Sequence, residues 1–172
     1  MQGVLNLMVK AEEKIGGSAL PALFFSWFAK RGWHPHPHQL EMVCAAREGV
    51  DALLIAPTGG GKTLAGFLPS LIDMAGNGAK GLHTLYVSPL KALTVDVERN
   101  LKVFVAEMEL PIRIETRTGD TSQHKRRRQR FDPPHMLLTT PESLTLLLSY
   151  PDSRRYFKYL KTVIVDEVHA MA

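Results

Sequence analysis

Two stretches of the sequence hold residues able to do chemistry on phosphates. The first is APTGGGKT, Ala56 to Thr63, which follows the apolar run ALLIA (Ala52 to Ala56) and leads into the helical pattern LAGFLPSL. Glycines at 59, 60 and 61 let backbone N–H groups approach phosphate oxygens without Cβ obstruction, and the helix that follows aims the positive end of its dipole at them. In this pattern Pro57, Thr58, Gly59, Gly60 and Gly61 form the cradle, Lys62 bridges the β and γ phosphates, and Thr63 holds Mg²⁺ through its hydroxyl. The second stretch is TVIVDEVH, Thr162 to His169. Asp166 follows four β-formers and is suited to bind the metal through its water shell, while Glu167 is suited to polarise water for attack on the γ phosphate. Neighbouring residues at a strand end project differently, so the two acids divide these roles. Lys62, Asp166 and Glu167 are therefore the candidate catalytic set, with Thr63 and Asp166 on the metal.

Such a site needs strands to carry it. Short apolar runs at Ala52 to Ala56, Leu82 to Val87, Ile112 to Thr116, Met136 to Thr139 and Thr162 to Val165 alternate with helix-compatible segments. That is a βαβ rhythm, and the continuous apolar character of ALLIA and TVIV suits strands covered on both faces. The expected fold is α/β, a parallel sheet with helices on both faces. Upstream, Leu20, Leu23, Phe24, Trp27 and Phe28 recur at helical spacing, and Pro35 and Pro37 predict an extended connection before a second helix over Gln39 to Glu48. Residues 1–18 read as a flexible leader and 19–172 as one domain.

The chain has 172 residues, with 21 Lys plus Arg against 17 Asp plus Glu, for a net charge of +4. This permits contact with an anionic polymer without demanding it. Its single cysteine, Cys44, excludes an intramolecular disulfide scaffold and points to a cytoplasmic setting. The most apolar early stretch, Ala19 to Ala29, is too short to span a bilayer. His34, His36 and His38 alternate in a proline-rich turn without a clear fourth ligand, so no zinc site is expected.

A phosphate loop followed about a hundred residues later by DEVH resembles the first RecA-like domain of superfamily 2 DExH-box helicases. SPLKAL (Ser88 to Leu93), RTGD (Arg117 to Asp120) and TTPESL (Thr139 to Leu144) look like that family's motif Ia, TGD element and motif Ib, each after a strand. The wording PTGGGKTLAGFLPSL, LHTLYVSPLKAL and RTGDT is similar to the Lhr-like branch, in particular the ligase-associated DNA helicases. Ala56 replaces the first glycine of the strict loop pattern, as is common in helicases. The resemblance implies ATP and Mg²⁺ as ligands and ATP-driven translocation along single-stranded DNA or RNA, with DNA favoured. It further implies a repair setting with DNA ligase and nuclease proteins as partners.

Residue by residue, the resemblance assigns strand contacts to Ser88, Pro89, Lys91, Thr118, Gly119, Asp120, Thr139, Thr140, Pro141 and Glu142. His169 would couple the ATP site to them. RGWHPHPHQLE resembles the Q motif, with Gln39 as adenine reader and Trp33 as a stacking partner; a packing tryptophan and a helix-start glutamine are the alternative. The basic cluster HKRRRQR, His124 to Arg130, is expected to be solvated helix surface.

The chain ends three residues after DEVH. The family's motif III strand lies between the loop strand and the DExH strand, so its absence predicts a central gap or direct pairing of those two, and a partial product lacking the second RecA-like lobe. A binding module without turnover is the competing reading. A small-molecule kinase ranks last, because it leaves SPLKAL, TGD and TTPESL unexplained.

Overall fold

The computed structural model describes residues 20–57 and 59–170. The expected leader and Thr58 lie outside the described residues. The chain is described as two compact units, one ending at Ile72 and one opening at Asp73.

The first unit contains α1 (Ala22–Lys30), α2 (Pro37–Glu48) and the start of α3 (Lys62–Asn77), within which the division falls. The four-residue spacing of Leu20, Phe24 and Phe28 places them on one buried stripe, whereas Leu23 is exposed. Helix α2 begins two residues before the predicted Gln39. Pro37 occupies its first turn, where the missing N–H costs nothing, and His36 caps it.

The predicted strand Ala52 to Ala56 does not form. The segment has no strand assignment, and Leu53 and Ile55 are 78% and 87% exposed. An apolar run becomes a strand only when a neighbour takes up its backbone N–H and C=O groups.

The second unit holds a parallel four-stranded sheet in the order β2-β3-β1-β4. Its strands are β1 (Thr84–Val87), β2 (Ile114–Arg117), β3 (Met136–Thr139) and β4 (Thr162–Val165). Between them run α4 (Lys91–Glu107), α5 (Gln123–Phe131), α6 (Pro141–Leu148) and the short α7 (Ser153–Tyr156). Leu85 and Leu137, paired in register, pack with Leu147 and Tyr156 from α6 and α7. Thr116 has the opposite parity and borders Ala92 and Val95 of α4, so helices cover both faces as expected.

Among the described residues strand β4 pairs with β1 and ends the sheet order. Val163 and Val165 are 53% and 47% exposed, unlike the fully buried TLYV and MLLT of β1 and β3. Of the two predicted outcomes, direct pairing of the loop strand with β4 is therefore the one that does not occur.

Asp73, in the last turns of α3, fastens the second unit internally. It accepts from Lys161 Nζ at 2.8 Å and from Asn77 Nδ2 at 2.6 Å, and lies 2.7 Å from His83 Nε2. Burial pushes its carboxyl up, but these partners outweigh burial and hold it well below the usual carboxylate range.

Candidate functional site

In the first unit the glycine loop takes the shape that its composition demands. Gly59 and Gly61 have φ of 80° and 73°, in the left-handed region, and the Gly60 amide donates to Pro57 O at 3.2 Å. A Cβ at Gly61 would stand 2.7 Å from Gln39 Nε2, so a side chain there would displace the Gln39 carboxamide. Lys62 and Thr63 open α3 and are exposed. The Lys62 ammonium reaches back across the loop to Ala56 O at 2.7 Å, which closes the cradle at its mouth.

Gln39 is 2% exposed, and its carboxamide is already engaged at both ends. Oε1 accepts from the His36 amide at 2.9 Å, completing a capping box, and Nε2 donates to Gly61 O at 3.2 Å. The helix-start role is thus realised, and one N–H and one oxygen lone pair remain for any other partner. Trp33 is 52% exposed and sits edge-on to Trp27 at 5.8 Å. The Arg31 guanidinium lies 5.0 Å from its ring centroid.

In the second unit the acid pair closes β4. The Asp166 amide donates to Val87 O at 2.9 Å, extending the β1–β4 pairing by one residue. Its carboxylate accepts from the Glu167 amide at 2.9 Å through Oδ1 and from the Tyr86 hydroxyl at 2.8 Å through Oδ2. Burial first, and then the Asp166 hydrogen bond, push the Tyr86 phenol far above its ordinary range, so it remains a donor. Glu167 has φ of 52°, a left-handed backbone rare for a non-glycine residue. His169 lies in the turn Val168–Ala170, with Nε2 3.3 Å from Glu167 Oε2.

Tyr86 was not among the candidates from sequence. Its signal was a single polar aromatic inside the otherwise apolar end of LHTLYV.

The three expected strand-contact motifs do meet at the carboxyl edge of the sheet. The Ser88 amide donates to Thr139 O at 3.1 Å, Thr139 Oγ1 donates to Arg117 O at 2.7 Å, and Lys91 pairs with Asp120 at 3.2 Å. The hydroxyls expected to face a ligand are instead turned inward. Ser88 and Thr139 are 0% exposed and Thr140 is 2%, with the Thr140 hydroxyl 3.3 Å from that of Ser143; Thr118 is buried too. Stitching three strand ends together uses these small polar groups as internal partners. The outward groups are Lys91, Asp120 and Glu142, with Pro89 and Pro141 half-buried and Gly119 against the Lys91 ammonium. The Glu142 carboxyl is held below its ordinary range by its own backbone amide, then by the Thr140 hydroxyl, and further by Lys91.

The basic cluster departs from the expected solvated surface. Alternate arginines of α5 are each tied to a different element. Arg126 Nη2 donates to Thr118 O at 2.9 Å and Gly119 O at 2.5 Å, Arg128 pairs with Glu115 of β2, and Arg130 pairs with Asp152 at 2.7 Å while covering the Tyr150 ring at 3.9 Å. In return the buried Arg117 donates to Arg126 O at 3.0 Å. Only a helix face turned toward the sheet makes this possible, and composition gives no sign of which face that is.

Among the described residues no helix is long and apolar enough to cross a membrane.

The DEAD/DEAH box helicase family profile matches residues 36–172. The chain is 47% identical over 164 residues to the Lhr helicase/probable uracil glycosylase of Mycolicibacterium smegmatis, covering 88% of this chain and 11% of that one. It is 39% identical to the ATP-dependent helicase Lhr-Core protein 2 of Thermococcus barophilus, with 85% and 19% covered. The structure of Mycobacterium smegmatis helicase Lhr bound to ssDNA and AMP-PNP superposes with a TM-score of 0.79 at 44% identity, covering 90% of this chain and 21% of that one. The chain thus spans between about a tenth and a fifth of the curated relatives named here. With a RecA-like parallel sheet, a glycine loop opening a helix and DEVH closing a strand, the chain belongs to the DEAD/DEAH box helicases and is similar to their Lhr-type members.

Proposed function

We propose that this chain is the ATP- and nucleic-acid-binding lobe of an Lhr-type DExH helicase, in which ATP hydrolysis drives movement along a single strand, with DNA favoured over RNA. The observation that carries this reading is the loop itself: two left-handed glycines and a lysine and threonine opening α3. Bare amides at a helix N-terminus suit a polyphosphate. Lys62, now on the Ala56 carbonyl, would exchange that neutral acceptor for phosphate oxygens, a stronger charge-assisted partner. Trp33 and the remaining valences of Gln39 are the proposed base contacts.

The donors present suit Mg²⁺, a hard cation: the exposed Thr63 hydroxyl and an Asp166 carboxylate on which each oxygen keeps a lone pair. When bound, the metal neutralises charge on the phosphate oxygens. Asp166 would hold its water shell, Glu167 would orient the attacking water, and His169 would link the acid pair to the strand-contact edge. At that edge Lys91 is the proposed phosphate contact, with Pro89, Gly119 and Pro141 as backbone surface. A second RecA-like lobe, a cytoplasmic repair setting, and ligase or nuclease partners belong to the same proposal.

The test is AMP-PNP binding and ATP hydrolysis by the whole protein, with and without single-stranded DNA, beside Lys62→Ala. Binding lost in the variant and hydrolysis stimulated by DNA are expected. Binding that survives the substitution would refute the site, and DNA-independent background hydrolysis would leave a binding module.

A further inference from the structure

The tether between Tyr86 and Asp166 has no role in the reading so far. Tyr86 lies on β1, is 1% exposed, and reaches across to the acid that closes β4, 80 residues away in sequence. A buried phenol must have an acceptor, and a backbone carbonyl would serve that need without touching the site. Here the acceptor is the first acid of DEVH. The neighbouring backbone hydrogen bond, Asp166 N to Val87 O, fixes the main chain at this point but leaves the side-chain torsions free. At the end of β4, the last strand of the sheet order, the hydroxyl of Tyr86 supplies the side-chain partner, and the Glu167 amide supplies the backbone one. Together they engage one lone pair on each oxygen and leave the others to a further partner.

We propose that Tyr86 is a positioning residue for Asp166: its hydroxyl fixes the carboxylate so that the free lone pairs are presented to the water shell of nucleotide-bound Mg²⁺. This rests on the reading of Asp166 as the metal-side acid. Tyr86 also stands two residues before Ser88, whose amide bonds Thr139, so the same strand end that orients the acid holds motif Ia against motif Ib. The phenol touches no reacting atom. It acts through Asp166.

The test is AMP-PNP affinity of the whole protein, measured in Mg²⁺ and in EDTA, for wild type, Tyr86→Phe, Asp166→Asn, the double variant and Lys62→Ala. Partners that orient metal-side ligands cost roughly tenfold or more in metal affinity when removed. Tyr86→Phe should therefore cut the gain that Mg²⁺ adds by about tenfold while leaving affinity in EDTA unchanged. The double variant should be no worse than Asp166→Asn. An unchanged Mg²⁺ gain overturns the proposal, including the case in which only the melting temperature falls, because that marks a hydroxyl needed for packing alone. If Tyr86→Phe fails to fold, the comparison passes to Asp166→Glu, which displaces the carboxylate from the phenol and should lose the gain to a similar extent. Retained AMP-PNP binding in Lys62→Ala would instead sink the site reading beneath, and the tether's role with it.

Discussion

Replacing Arg126 by alanine tests whether the basic cluster is surface charge or scaffold. One nitrogen, Nη2, donates to the carbonyls of Thr118 and Gly119, the first half-buried and the second exposed. A hydrogen bond from a charged donor is worth about 1.5–3 kcal/mol when buried, and much less in water. Two bonds sharing a nitrogen at a partly wet site therefore give about 2 kcal/mol for the pair. The buried Arg117 contact to the Arg126 carbonyl survives the substitution, so the loss should fall on the loop and not on the sheet. An energy of about 2 kcal/mol raises the local opening constant roughly 30-fold. The reporters are the Thr118 and Thr121 amides, which bond Thr121 Oγ1 at 2.9 Å and Thr118 O at 3.1 Å. Their hydrogen exchange should quicken by that factor in Arg126→Ala, and stay near wild type in Arg127→Ala, whose side chain is exposed. Equal exchange in the two variants would refute the clamp and return the cluster to solvated charge.

Two further outcomes follow from the polar contacts. Asp73→Asn should cost about 1–2 kcal/mol at neutral pH, read by urea unfolding. Because the folded carboxyl is depressed, this stabilisation is complete above the ordinary value of about 4 and is lost as pH falls below it, so the gap to wild type should close in acid. Gln39→Ala should lower the melting temperature through loss of the capping box, worth about 1 kcal/mol, and should also erase discrimination between ATP and GTP if the carboxamide reads adenine. An unchanged nucleotide preference would leave Gln39 as a cap and loop tether alone.

The comparison between sequence and structure turns on what a local pattern can encode. Met136–Thr139 and Thr162–Val165 form strands with the predicted bounds, because a run of β-formers beside a neighbour of the same length has one register to choose. β2 is displaced from Ile112–Thr116 to Ile114–Arg117, since hydropathy ends the run before a residue that the structure buries to 2%. An arginine is buried there with Arg126 O and Tyr150 as partners, and neither is knowable from nearest neighbours. Ala52–Ala56 is the sharper case. It is as continuous an apolar run as that of β4, yet one pairs with β1 and the other carries no strand, because pairing belongs to the partner as much as to the segment.

The same reasoning explains why the motifs were legible and their chemistry was not fully so. Glycine spacing, a lysine at a helix start and two acids after a strand specify backbone shape and charge, and these survive intact in the folded chain. A hydroxyl carries no such commitment. Ser88, Thr139 and Thr140 can turn outward to a ligand or inward to a neighbouring polar group, and here the Arg117 carbonyl, the Ser143 hydroxyl and the Leu90 amide are near. Turning any of them outward would leave a buried group unpaired, at about 1–3 kcal/mol each. A strand lying across this edge would therefore meet Lys91, flanked by Asp120 and Glu142, and a surface of backbone and proline. The arrangement keeps these hydroxyls inside and sets the Lys91 ammonium beside the Asp120 carboxylate outside.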